Sequence, residues 1–121
     1  MHKTTYYWKL LFIFSSALLL FALLRGAPPH ALFWHSDKIG HALSFFAVAL
    51  TGRLADLALP GWVYWTSLAS LGMGLEYLQG VIGPLRTASL ADAGANLLGI
   101  LLAFVICWAL AVLRRRTDRK G

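Results

Sequence analysis

Eight polar residues stand out in a chain that is otherwise strongly apolar: Asp37, Lys38, His41, Glu76, Gln79, Arg86, Asp92 and Asn96. Asp37 and His41 are four apart, Glu76 and Gln79 three apart, and Asp92 and Asn96 four apart, so each pair shares a helix face. His41, Glu76 and Asp92 are of the types that act as general acids and bases, and Lys38 and Arg86 of the types that hold an anionic group. No nucleophile motif accompanies them. Ser36, Ser44 and Ser89 lack a recognisable elbow, and no metal-ligand spacing such as H-x-x-x-H occurs, so neither a cofactor nor a metal is expected.

The elements that must position these residues follow from composition. Of 121 residues, 59% are hydrophobic and 13% charged, with a mean hydropathy of +0.66. A soluble domain carries about 25% charged residues. A chain this short has too much surface for a larger core to absorb the apolar excess. The sequence therefore reads as a membrane protein. The net charge of +6 does not point to nucleic acid, because the basic residues gather at the two ends and most densely in "RRRTDRK". Cys107 is the single cysteine, which excludes an intrachain disulfide and reads as a buried, inert thiol.

A helix crosses the hydrocarbon with about 20 mostly apolar residues. Four segments are read as spans, at about 7–24, 37–54, 62–80 and 90–113, separated by "APPH", "LPG" and "GVIGPLR". The fold class is thus all-α: a polytopic membrane protein built as a four-transmembrane-helix bundle in one domain. The first segment has the basic start of a signal peptide, but Leu24-Arg25-Gly26 is a poor cleavage context and Tyr6, Tyr7 and Trp8 resemble an interfacial belt. It is read as an uncleaved span.

The excess of Lys and Arg places the C-terminus, with Arg114, Arg115, Arg116, Arg119 and Lys120, in the cytoplasm, and four spans bring the N-terminus there too. Spans two, three and four then deliver their polar residues to the same, outward end of the bundle. Small residues extend these faces: Ala69 and Gly72 beside Glu76, Gly99 and Ala103 beside Asn96, and Gly40 and Ser44 beside His41. Such residues let membrane helices approach closely. His30 and His35 lie in an interfacial loop apart from the site.

The ordered set of Asp37, Lys38, His41, Glu76, Gln79, Arg86, Asp92, Asn96 and Gly99, set in "DKIGHALSFF", "GLEYLQG" and "LRTASLADAGANLLG", resembles the VanZ-like family of small bacterial membrane proteins. The resemblance covers about residues 36–103. It implies a multi-pass protein of the bacterial cytoplasmic membrane, associated in some members with reduced susceptibility to glycopeptide antibiotics. It brings no agreed reaction.

Each residue also has a plainer role. Ser89 and Asp92 have the spacing of a capping box, and Asp37 suits the positive end of a helix. Glu76 lies near a helix C-terminus, where a negative charge needs a partner such as Arg86 or Lys38. His41 suits a core histidine bonded to Asp37 or Glu76, while Asn96 and Gln79 suit interhelical hydrogen bonds. Three functional classes remain open. The protein binds or modifies a lipid or lipid-linked molecule of the cell envelope. Or it is an enzyme using His41, Glu76 and Asp92. Or it is a structural or partner-binding protein whose polar cluster locks the bundle.

The orientation is testable. A cysteine placed at Gly83 is expected to react with an impermeant thiol reagent from outside the cell, and one at Asp56 to stay protected; the reverse pattern would invert the topology.

Overall fold

The first apolar run, Lys3–Leu24, contains neither glycine nor proline and folds as one helix, α1. Ser36–Leu54 forms α2, Gly61–Ile82 α3 and Leu90–Lys120 α4. The structure is a computed structural model and describes residues 3–24, 36–82 and 90–121. No strand occurs among the described residues, so the chain is all-α as expected.

The connection between α2 and α3 is short and well defined. Ala55 N–H donates to the Thr51 carbonyl (2.8 Å) and Asp56 N–H to the Arg53 carbonyl (3.3 Å). Asp56 adopts a left-handed conformation (φ 52°), which lets the chain leave α2 in the manner usually served by glycine. The carbonyl of Pro60 then accepts from Tyr64 N–H (3.0 Å), opening α3 where a missing N–H costs nothing.

All four helices contribute to one core: Leu19 and Leu23 from α1, Phe45, Val48 and Ala49 from α2, Tyr64 and Leu68 from α3, and Ile100 and Ala103 from α4. The most extensive contact is between α2 and α4; α1 packs chiefly on α2, and α3 chiefly on α4. A helix with no polar residue in its outer half would be expected to pack peripherally, but α1 gives Leu19 and Leu23 to the core and meets α2 more extensively than α3 meets α4. Two ties reinforce the far end of the bundle. Tyr64 donates its hydroxyl to the Ala49 carbonyl (2.6 Å), joining α3 to α2. The rings of Trp65 and Phe104 meet edge to face at 5.2 Å, joining α3 to α4.

Close approach of α2 and α4 depends on Gly99. A Cβ there would collide with the backbone carbonyl of Ala42 and stand 3.0 Å from the Phe46 nitrogen. Gly99 and Ala103, four apart and both buried, thus act as the expected small-residue face. Gly40 does not: it is exposed, with nothing within 4 Å of where a Cβ would stand, and Ala42 is what α2 presents to Gly99.

The outer surface is apolar. Phe21 is 67% exposed and Trp108 62%, with Ile13, Phe14, Leu43, Leu71 and Val81 also exposed. Such a surface suits lipid, and in water would be an aggregation liability. Two helices, Lys3–Leu23 (hydropathy 1.7) and Leu90–Lys120 (2.6), are long and apolar enough to cross a membrane by length and composition. Few of their residues are buried, unlike those of a core helix in a soluble protein. Neither α2 nor α3 meets that criterion. Asp37, Lys38, His41 and Arg53 dilute the first, and Glu76, Gln79 and a run of Gly, Ser and aromatic residues the second.

Replacement of Gly99 by Ala is expected to destabilise the protein by about 1–3 kcal/mol or more, because the overpacked neighbour is backbone and cannot rotate away. Gly40→Ala, by contrast, is expected to stabilise by about 0.5–1 kcal/mol through helix propensity. Thermal melts of the two variants in detergent would distinguish them.

Candidate polar site at the bundle end

The site is built where α2 begins, α3 ends and α4 begins. His41 comes from the second turn of α2, Glu76 from the last third of α3, and Asp92 and Asn96 from the first two turns of α4. Their convergence follows from alternating helix directions joined by short connections. Three segments distant in sequence are thereby brought to one end.

Asn96 is at the bottom of the site, fully buried at 0% exposure. Its Nδ2 donates to the Gly72 carbonyl on α3 (2.8 Å), and its Oδ1 accepts from His41 Nδ1 on α2 (2.9 Å). These two contacts fix the chemistry of the imidazole. A carbonyl oxygen only accepts, so the amide nitrogen must face Gly72 and the amide oxygen must face His41. His41 Nδ1 therefore carries a proton, and in the neutral ring the lone pair lies on Nε2. His41, expected to bond Asp37 or Glu76, bonds Asn96 through Nδ1; the side chain of Asp37 lies outside the described residues. A side-chain amide with both a donor and an acceptor bridges α2 and α3 in a way that a carboxylate does not.

One turn above Asn96, Asp92 Oδ1 lies 3.8 Å from Lys38 Nζ. Lys38, with 36% side-chain exposure against 17% for Asp92, forms the rim. At that exposure the pair adds little to stability. Lys38 was one expected partner of Glu76; the ion pair it makes is with Asp92. Asp92 also occupies the first turn of α4, where the helix dipole favours a carboxylate. Glu76 is 3% exposed and faces the same space, beneath the rim. One ligand-type atom each from His41, Glu76 and Asp92 fall within 4.8 Å of one another.

Five of the eight expected residues, Lys38, His41, Glu76, Asp92 and Asn96, are thus brought together. Arg86 lies outside the described residues, as do the side chains of Asp37 and Gln79. The sequence reading missed two contributors, the Gly72 carbonyl and the backbone of α2 at Ala42. Neither has a side-chain signature.

No family model matches the chain, and neither the curated proteins nor the solved structures contain a match.

Asn96→Leu conserves volume and deletes both hydrogen bonds. It is expected to lower stability by about 1–3 kcal/mol, since the Gly72 carbonyl it leaves is buried. A detergent melting curve would read the loss, with helical content by circular dichroism unchanged at low temperature.

Proposed function

We propose that this is a VanZ-like, four-span protein of the bacterial cytoplasmic membrane whose polar site binds or modifies an amphiphile of the cell envelope at the extracytoplasmic face. The observation that carries this reading is the convergence of buried Glu76 and Asn96 with half-buried His41 and Asp92 at one end of a bundle with apolar flanks. Ionisable groups inside a membrane bundle mark functional sites by default. A site at the bundle end lies near the depth of a lipid headgroup, and its apolar flanks lie beside the acyl chains.

Orientation is supported by α4. Asp92 lies at its start and Arg114–Lys120 close it, about 33 Å apart at 1.5 Å per residue. If the basic tail stays in the cytoplasm, the site faces the other side. Four spans are supported by the shared core and by the exposed apolar residues of α2 and α3, Leu43, Leu71, Met73 and Val81 among them. α2 and α3 carry the polar groups, which is why they fall short of apolarity taken singly. Association with glycopeptide tolerance belongs to the resemblance alone.

A structural lock is the second reading, favoured by Asn96, which ties three helices without any ligand. The two readings part at Glu76. Glu76→Gln keeps size and hydrogen-bonding capacity and removes the charge. Native mass spectrometry of the purified protein is expected to show a co-purifying lipid in the wild type and its loss in the variant, with the melting temperature little changed. A chemically altered lipid would identify an enzyme. Absence of lipid from the wild type, with a melting temperature that falls in the variant, would establish the lock.

A further inference from the structure

We infer that His41, Glu76 and Asp92 form a binding site for a divalent transition-metal cation. The inference goes beyond the amphiphile reading and stands whether or not a lipid is bound. One ligand-type atom from each residue, supplied by three different helices, lies within 4.8 Å of the others. The donor set is one imidazole and two carboxylates, which suits zinc, manganese or iron better than magnesium or calcium.

Geometry and electrostatics support the assignment. Ligands of a tetrahedral ion at about 2.0–2.1 Å stand about 3.4 Å apart, so the group has to close by about 1.4 Å at its widest. Such a distance is of the order that side-chain rotation covers. Two carboxylates held together, Glu76 buried and Asp92 half-buried, repel each other, and a dication between them turns the repulsion into attraction. Lys38 contacts Asp92 through Oδ1. A carboxylate has two oxygens, so that contact is compatible with ligation through Oδ2.

His41 supplies the second, independent observation. Its Nδ1–H is held by Asn96, and Asn96 is itself anchored on the Gly72 carbonyl. A ligating histidine characteristically donates its other ring N–H to a fixed acceptor, which sets the tautomer and aims the lone pair. Here the fixed acceptor is fully buried, and the lone pair falls on Nε2. Asn96 is thus a positioning residue for the site. Three protein ligands leave at least one coordination position for water or an anionic oxygen, the arrangement of a reactive site rather than a purely structural one.

The test uses the full chain in detergent, stripped with a chelator and titrated with Zn²⁺ by calorimetry. One Zn²⁺ per chain is expected, with binding weakened at least tenfold in Asp92→Asn and in His41→Ala, and retained when His30 and His35 are both replaced by Ala. Absence of stoichiometric binding, or binding undiminished in both site variants, would overturn the inference. Should either variant fold poorly, Co²⁺ bound to the wild type provides a second reading. Visible d–d bands displaced by Zn²⁺, with no thiolate charge-transfer band, are expected. A thiolate band would assign the metal to Cys107 and sink the proposal. Neither measurement depends on a lipid, so the metal site and the amphiphile reading succeed or fail separately.

Discussion

A single buried amide holds the working end of this bundle in register. Asn96 is fully excluded from solvent and hydrogen-bonds to α2 through His41 and to α3 through the Gly72 carbonyl. An amide in that position leaves little freedom. Sliding or rotating either neighbour strands a donor or an acceptor in a medium that offers no water, which costs more than the net value of the bond itself. The reach of the amide depends in turn on how close the helices come. Gly99, one turn further along α4, lets α4 lie against the backbone of α2, and Gly72 meets Asn96 Cβ at ordinary van der Waals distance, 3.4 Å from where its own Cβ would stand. Small residues set the separation, and the amide sets the register.

That division of labour explains why the four helices differ in composition. α1 and α4 are apolar enough to cross a membrane on their own terms; α2 and α3 are not. Lys38 and His41 of α2 and Glu76 of α3 turn toward α4, while Leu43, Leu71 and Met73 on the same two helices remain exposed and apolar. A hydropathy average cannot see this segregation, because it sums a buried Glu76 with an exposed Leu71 in the same window.

Much of the architecture was legible in the sequence. Apolar runs broken by Pro and Gly located all four helices, and the exposed apolar flanks follow from the same excess. Helix-period spacing correctly gathered Lys38, His41, Glu76, Asp92 and Asn96 at one end. Partner identities were not legible. Spacing places His41 and Asn96 on inward faces but cannot say that they meet, since their contact spans 55 positions and depends on the angle between two helices. No linear metal motif exists, because each candidate ligand comes from a different helix. Gly40 was credited with a close approach that Ala42 makes, as small size alone does not say which side of a helix is covered. The helical continuation of α4 through its basic tail was also unforeseen. Residues 114–120 were read for charge alone, although Arg and Lys are good helix formers and the Thr117 hydroxyl caps back onto the Leu113 carbonyl (3.1 Å).

The clamp bears on what the remaining polar groups are for. A bundle locked by Asn96 needs one donor from α2 and one acceptor from α3, and both are supplied without Glu76, Asp92 or Lys38. Locking therefore accounts for Asn96, Gly72 and one nitrogen of His41. It does not account for two carboxylates drawn together beside the imidazole, an arrangement that like-charge repulsion and desolvation both oppose. Capping explains Asp92 in part, through the dipole of α4, but gives no role to Glu76, which lies within α3 and away from both of its ends. A buried carboxylate, facing a second carboxylate and an oriented imidazole, is costly as architecture and useful as a receptor for positive charge or for a proton. The lock and the site are then successive layers along α4, with Asn96 fixing the geometry on which His41, Glu76 and Asp92 depend.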